Sequence, residues 1–297
     1  MPTPRTPISR LLRRGMALVL VVFAGCAGTG GASSPPAQPP GLTAYLWSYR
    51  ADDASIAPYL ADPPAADINA DEQSAQSAAP IEPFGPGPTA LWRANAIRVA
   101  AIPVQEAANL RAGAAPVGAM RELAMGESPA WTELARGPRW SAPLLTQLDT
   151  GDVRLDPGFV RLLCRAWIIP AEIPEAGDRL PAALQVELAI QHVRETTPAR
   201  GSLEAMIPAP PTPIEHQGLI LHRLTLAAAL DGSHAIALLP IAAERARPAP
   251  SLGPPAPQPI RLGNLLIGLG PESSGGGALI LLVPVVPGSF GLNPVGR

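Results

Sequence analysis

The stretch 224–240, Leu-Thr-Leu-Ala-Ala-Ala-Leu-Asp-Gly-Ser-His-Ala-Ile-Ala-Leu-Leu-Pro, says most about the fold of this chain. Two apolar runs flank Asp231-Gly232. An Asp-Gly pair readily supplies the positive φ angles that a two-residue type I′ turn requires. We therefore expect residues 219–230 and 233–242 to form an antiparallel β-hairpin.

Segments with strand composition continue on both sides of this stretch. Gly113 closes a short helix predicted over 104–111, and prolines divide 121–147 into short helical turns. The remaining predicted strands are 42–50, 96–102, 152–155, 159–169, 183–193, 259–267 and 278–286. This order predicts an α+β fold that is mainly antiparallel β, with short helices and long loops rich in Pro, Ala and Gly.

The first predicted strand carries an aromatic stripe. Tyr45, Trp47 and Tyr49 recur at period two, so a strand would place all three rings on one face. Such a stripe can stack on the sugar rings of a glycan, or it can pack a sheet face against the core. Packing is the commoner role, and we expect it here.

Two further tryptophans flank a basic segment. Trp131 and Trp140 lie on either side of Arg136-Gly137-Pro138-Arg139, an arrangement that could form an aromatic and cationic binding lip. Buried anchors that hold irregular chain in place are the alternative, and the favoured one.

Composition and charge exclude several classes of protein. The chain has 297 residues, a formal net charge of −2 and a sequence pI of about 6.1, with no basic patch that would indicate nucleic-acid binding. Its two cysteines are Cys26 and Cys164. If Cys26 carries lipid, Cys164 has no intramolecular partner, and its apolar surroundings predict a small buried hydrophobe rather than a reactive thiol.

Motifs for known chemistries are incomplete. Gly126-Glu127-Ser128-Pro129-Ala130 lacks the second glycine of a nucleophile elbow and places proline where an amide hydrogen is needed. The glycines of 263–270 lack the third glycine of a dinucleotide fingerprint. His216 and His222, predicted to share a strand face, are too far apart for one metal, and His192 and His234 complete no ligand spacing. We therefore predict no catalytic residue, no cofactor and no metal site.

The first 26 residues divide into segments of different chemistry. Residues 1–14 contain four arginines and no acidic residue, and residues 16–23 form an apolar run. A run of about ten residues covers only half of a ~30 Å hydrocarbon core, so it is too short to span a membrane. A basic segment followed by a short apolar one is typical of an export signal.

The apolar run ends in Phe23-Ala24-Gly25-Cys26, which resembles the lipobox of bacterial lipoproteins. The resemblance implies cleavage between Gly25 and Cys26, a diacylglyceryl thioether on Cys26 and acylation of the new N-terminus. Two or three acyl chains anchor a protein stably. Phe23 departs from the pattern, which has Leu or another aliphatic residue there. A plain secretory signal, or a short buried helix of a cytosolic protein, is the alternative.

A second, weaker resemblance concerns the last third of the chain. The Asp-Gly hairpin, Ile260-Arg-Leu-Gly-Asn-Leu265 and then the Leu-rich run 278–286 are similar in order to the end of secretin-type outer-membrane channel proteins. Val283 stands where that pattern has Thr. This resemblance implies a role in an envelope secretion device.

These features predict three regions. Residues 1–25 are a signal peptide, 26–41 contain lipidated Cys26 and a flexible tether, and 42–297 form a β-rich domain with a disordered insert near 61–88. We expect a lipoprotein of the bacterial cell envelope, anchored to a membrane by lipid. Its role would be structural or binding, with an envelope protein or a glycan as partner and no nucleic acid. An assembly or secretion subunit, and a hydrolase whose site the sequence does not reveal, are the alternatives.

Overall fold

The computed structural model describes residues 39–50, 52–60, 84, 86–148, 151–171, 180–195, 212–241, 260–268 and 276–290. All of them belong to one compact unit. Cys26, the predicted tether up to residue 38 and most of the predicted insert near 61–88 lie outside the described residues, and Gly41, the last residue of that tether, begins a strand.

The described chain is rich in strands. The strands are β1 (Gly41–Tyr49), β2 (Ile97–Pro103), β3 (Val117–Gly126), β4 (Ser128–Arg136), β5 (Leu144–Leu148), β6 (Gly151–Leu155), β7 (Gly158–Pro170), β8 (Ala182–Arg194), β9 (Leu219–Leu230), β10 (His234–Pro240) and β11 (Gly277–Val285). The helices are α1 (Ala57–Leu60), α2 (Pro86–Ala94), α3 (Val104–Gly113) and α4 (Leu262–Leu266), and Ile214–His216 form a 3-10 turn.

The strands form two main antiparallel sheets. The five-stranded sheet has the order β2-β10-β11-β1-β3, and the four-stranded sheet has the order β4-β7-β8-β9. One apolar cluster contains the inner residues of both sheets, such as Leu42 and Leu282 from the first and Leu162 and Leu188 from the second. The sheets therefore pack face to face as a sandwich, and the predicted α+β, mainly antiparallel class is confirmed.

Helices cover the second face of the five-stranded sheet. Tyr45, Trp47 and Tyr49 are buried there against Ile56, which precedes α1, and Leu110 of α3. The expectation that this aromatic stripe packs against a core is confirmed, so its rings are unavailable for stacking on sugars.

The edge strands of the two sheets differ in whether a helix packs against them. β2 and β9 are edge strands of different sheets, and α2 packs against both, with Trp92 fully buried. The edge strand β3 pairs only with β1 among the described strands, and most of its residues are exposed.

The predicted hairpin at Asp231-Gly232 is wrong. β9 pairs with β8, whereas β10 pairs with β2 and β11, so the turn carries the chain from one sheet to the other. Gly232 has a φ of 92°, but Asp231 has no positive φ, and a type I′ turn needs both. Oδ1 of Asp231 accepts hydrogen bonds from Ser233 N at 2.9 Å and Ser233 Oγ at 2.6 Å, which makes a local Asx turn.

Two other predictions of secondary structure are also wrong. The region 121–147 contains most of β3, all of β4 and most of β5, not helical turns. Proline excludes a helix interior, but it is tolerated at bulges and edge strands, where Pro129 of β4 lies. The predicted strand 259–267 contains the helix α4, because a short apolar run does not distinguish the two structures by periodicity. The resemblance to secretin-type channel proteins therefore loses two of its parts, because the hairpin does not form and the segment 260–265 is not an extended strand.

The other strand predictions are confirmed to within two residues at each end, as is the helix at 104–111. Their apolar alternation is a local property of the chain, so it survives whichever strand becomes the neighbour.

Candidate functional site

No described α-helix packs on the outer face of the four-stranded sheet, and the 3-10 turn Ile214–His216 lies over one end of it. The side chains of this face come from alternate positions of β7 and β8, because core-facing Leu162, Cys164 and Ala166 alternate with outward-facing neighbours. The candidate site lies on this face. We call it the aromatic–arginine surface and define it as Trp131, Arg165, Trp167, Gln185 and Glu187.

Arg165 lies between two indole rings at the centre of this surface. Its guanidinium carbon is 4.6 Å from the ring centroid of Trp131 and 5.3 Å from that of Trp167. Both tryptophans are half-buried. Cation–π contacts of this kind contribute roughly 0.5–1 kcal/mol where water has access.

A bulge in β4 brings Trp131 over Arg165. Ser128 is opposite Ala166 and Thr132 is opposite Cys164, so three residues of β4 correspond to the single position of Arg165. Ser128 Oγ donates to the Ala130 carbonyl at 2.9 Å and lies 3.2 Å from Thr132 Oγ1. Bulges redirect side chains in this way.

The charge of Arg165 is balanced on the adjacent strand. Arg165 is opposite Glu187 in the β7–β8 register. Its Nε donates to Glu187 Oε2 at 2.8 Å, and its Nη2 forms an ion pair with the same oxygen at 2.6 Å. The side chains retain 34% and 18% of their exposure. Gln185 is opposite Trp167 and is half-buried. The surface thus offers apolar rings, hydrogen-bond donors and acceptors, and no net charge.

A buried polar network closes the other end of this sheet face. Arg161 donates to the side-chain oxygens of Gln191, Glu133 and Gln217 and to the Ile214 carbonyl, at 2.7–3.3 Å. These contacts occupy all five of its N–H groups. The network attaches the 212–218 segment to the sheet and leaves no guanidinium donor for a ligand.

Trp131 and Trp140 do not form a common lip with the basic segment between them. Trp140 stacks on His192 with ring centroids 5.7 Å apart, and its Nε1 donates to the Asp156 carbonyl at 3.0 Å. Arg136 and Arg139 lie over the Phe159 ring instead, at 4.8 Å and 5.7 Å. Trp140 is therefore an anchor, as expected, while Trp131 belongs to the aromatic–arginine surface.

The remaining chemically active side chains lie apart from this surface. Cys164 is fully buried, and burial raises the pKa of its thiol to about 12, so it carries no thiolate at neutral pH. His192 is buried, with Nε2 3.0 Å from the Asp156 carbonyl, and burial lowers its pKa. His216 lies in the 3-10 turn, not on a strand face with His222 as predicted.

No group of three or more His, Cys, Asp or Glu side chains within the described ranges could hold a metal ion. None of the described helices is long and apolar enough to cross a membrane. The predicted lipidation site, Gly25-Cys26, lies outside the part of the chain that is described.

The sequence pattern contained part of this site. Arg165 and Trp167 share a strand face at period two within a correctly predicted strand, so the sequence alone could predict that they are close together. Trp131 was not, because it lay in a region predicted as helical turns. Comparison with protein-family models, curated proteins and solved structures gives no match to this chain.

Proposed function

We propose that this protein is a bacterial envelope lipoprotein, held on a membrane through lipid on Cys26, whose β-sandwich is a non-catalytic binding module. The observation that carries the binding role is the pair of half-buried tryptophans around Arg165, on a sheet face against which no described α-helix packs. Tryptophan and arginine dominate binding surfaces, since each offers a large contact area together with a polar group.

The anchoring role is supported by the sequence before β1. Basic residues, a short apolar run and Ala24-Gly25-Cys26 occur in the order of a lipoprotein signal. Residues 27–40, rich in Gly, Ser and Pro, precede β1, which begins at Gly41. A fully extended chain of this length reaches roughly 50 Å, enough to let the sandwich search the space above a membrane.

Engagement of the reactive side chains supports a non-catalytic role. Within the described residues, Cys164 is buried as a neutral thiol, the ring of His192 is stacked and hydrogen-bonded, and Arg161 has no free donor. A hydrolase with a site assembled from distant residues is the competing function, and no described cluster of side chains specifically favours it.

The anchor is tested by mass spectrometry of the N-terminus and by membrane fractionation. We expect wild-type protein to begin at Cys26 with acyl chains attached and to sediment with membranes. Cys26→Ser should release it, because the apolar run alone is too short to span. Cys164→Ser is the matched control and should remain on the membrane. An intact Met1 or an unmodified Cys26 in the wild type would refute the anchor.

A second candidate function, a subunit of an envelope assembly, is favoured by β3. This ten-residue edge strand is largely exposed, and Val117 retains 51% of its surface. An open edge offers backbone N–H and C=O groups to a strand from another chain. Val117→Lys would then dissociate a complex purified from membranes. Leu219→Lys, at an exposed position on β9, would leave the complex intact. Identical complexes in both variants would refute assembly through β3.

A further inference from the structure

We propose that the aromatic–arginine surface binds a neutral, extended glycan of the cell envelope. This inference rests on the proposed function, because it names the partner of the binding module described above. The ligand class follows from three properties of the surface: its ring spacing, its charge balance and its preorganisation.

The ring spacing fits an extended saccharide. With the Arg165 guanidinium 4.6 Å from one centroid and 5.3 Å from the other, the rings of Trp131 and Trp167 lie within about 10 Å of each other. This is no longer than one disaccharide of a β-1,4-linked glycan. Sugar rings present apolar C–H faces, which can pack against the parts of the two half-buried indoles that Arg165 does not cover.

The charge balance favours a neutral ligand. Glu187 accepts a hydrogen bond from Arg165 and forms an ion pair with it, so the cation of the defined surface is already paired. A single-stranded nucleic acid also stacks on aromatic rings, but it needs a positively charged groove for its phosphates. Sugar hydroxyls need both donors and acceptors, which Arg165, Glu187 and Gln185 supply around the rings.

The surface is held in place before any ligand arrives. The Ser128 hydrogen bonds stabilise the bulge that carries Trp131, Trp167 lies on the thirteen-residue strand β7, and Glu187 fixes Arg165. Binding then costs little side-chain entropy, so even a small contact area can yield a measurable affinity.

The test titrates detergent-solubilised full-length protein with N,N′,N″,N‴-tetraacetylchitotetraose, a neutral β-1,4-linked tetrasaccharide, by calorimetry and tryptophan fluorescence. We expect saturable binding by the wild type. Trp131→Ala and Trp167→Ala should each raise the Kd about tenfold, as loss of a central aromatic contact does. Trp140→Phe, which alters an anchor away from this surface, should bind like the wild type.

Three results would overturn the inference. They are no saturable binding by the wild type, an unchanged Kd in both alanine variants, and tighter binding to heparin or to anionic lipid vesicles than to the tetrasaccharide. If the alanine variants unfold, Trp131→Phe and Trp167→Phe replace them. We expect a Kd several-fold higher in each, and an unchanged Kd in both would equally overturn the inference.

Membrane fractionation separates this inference from the proposed anchor. Protein that is lipidated on Cys26 but does not bind the tetrasaccharide would overturn only the proposal that the surface binds a glycan. Protein that binds it through Trp131 and Trp167 without lipid would overturn the anchor alone.

Discussion

Arg161 is a charged residue inside a β protein, with only 3% of its side chain exposed. Burial lowers the pKa of its guanidinium, and hydrogen bonding and charge attraction from Glu133 oppose that effect. Gln191, which has no exposed surface, receives one of its hydrogen bonds and donates to the carbonyls of Ile214, Glu215 and Gly218. Arg161 and Gln191 thus provide the hydrogen-bond donors that water would otherwise supply to the backbone carbonyls of the 212–218 segment.

We expect Arg161→Met to lower the free energy of unfolding by about 2–4 kcal/mol, because the buried side-chain oxygen of Gln191 loses its donor and Glu133 loses its ion pair. Arg139→Met is the matched control. Arg139 is exposed and lies 3.4 Å from Glu195, so its loss should have no measurable effect. Urea denaturation of both variants measures the difference, and equal midpoints would refute the structural role of Arg161.

His192 should make stability depend on pH. Burial lowers its pKa, while the Asp156 carbonyl raises it and Arg194 lowers it further. The unfolded chain then binds a proton more readily than the folded protein, so stability is full above about pH 6.5 and falls as the pH drops through the lower folded pKa.

Melting temperatures at pH 7.5 and pH 5.5 test this assignment. The decrease on acidification should be smaller in His192→Gln than in the wild type, because the neutral side chain cannot bind the destabilising proton. His222→Gln, at an exposed position on β9, should keep the wild-type decrease. The opposite order of the two variants would contradict the assignment.

At the scale of elements, the turn between β9 and β10 depends on one backbone conformation. Gly232 has a φ of 92°, and an added Cβ would lie 3.2 Å from Val286 Cβ. Gly232→Ala should therefore lower the free energy of unfolding by about 1 kcal/mol or more. Gly113→Ala provides the comparison, since Gly113 ends α3 with no atom near an added Cβ and should not be destabilised. An unchanged melting temperature for Gly232→Ala would show that the turn tolerates a side chain.

Helix α2 stabilises the sandwich through Trp92. The side chain is fully buried where α2 packs against β2 and β9, and its Nε1 has no hydrogen-bond partner among the described residues. Trp92→Ala should lower the free energy of unfolding by about 3–5 kcal/mol through the cavity it leaves. Trp92→Phe should cost less than half as much, because it removes volume but no hydrogen bond. Equal decreases in the free energy of unfolding in the two variants would mean that α2 does not stabilise the fold through the volume of the Trp92 ring.

At the scale of the whole molecule, the proposed binding role would need no single residue for chemical turnover. Substituting Cys164, His192, His216, His222 or His234 singly should therefore preserve whatever phenotype distinguishes wild type from a deletion, provided that each variant folds and reaches the membrane. Circular dichroism and fractionation check those conditions. One folded, anchored variant that behaves like the deletion would favour a catalytic or metal role at that position.

The sequence by itself determined the α+β class, the approximate bounds of most strands, the buried state of Cys164 and the inward packing of Tyr45, Trp47 and Tyr49. Each of these follows from hydrophobic alternation within one segment, which is a local property. Of the candidate site, only the adjacency of Arg165 and Trp167 has this local origin.

Only the tertiary structure decided which strands are neighbours. The Asp231-Gly232 turn permits a return within one sheet or a passage to the other. β9 stays beside β8, the strand before it, whereas β10 pairs with β2 and β11, and β2 is distant from it in sequence. Trp131 meets Arg165 for the same kind of reason, since a bulge in β4 has meaning only against β7. Pairing across long sequence separations depends on the whole core, and no local pattern encodes it.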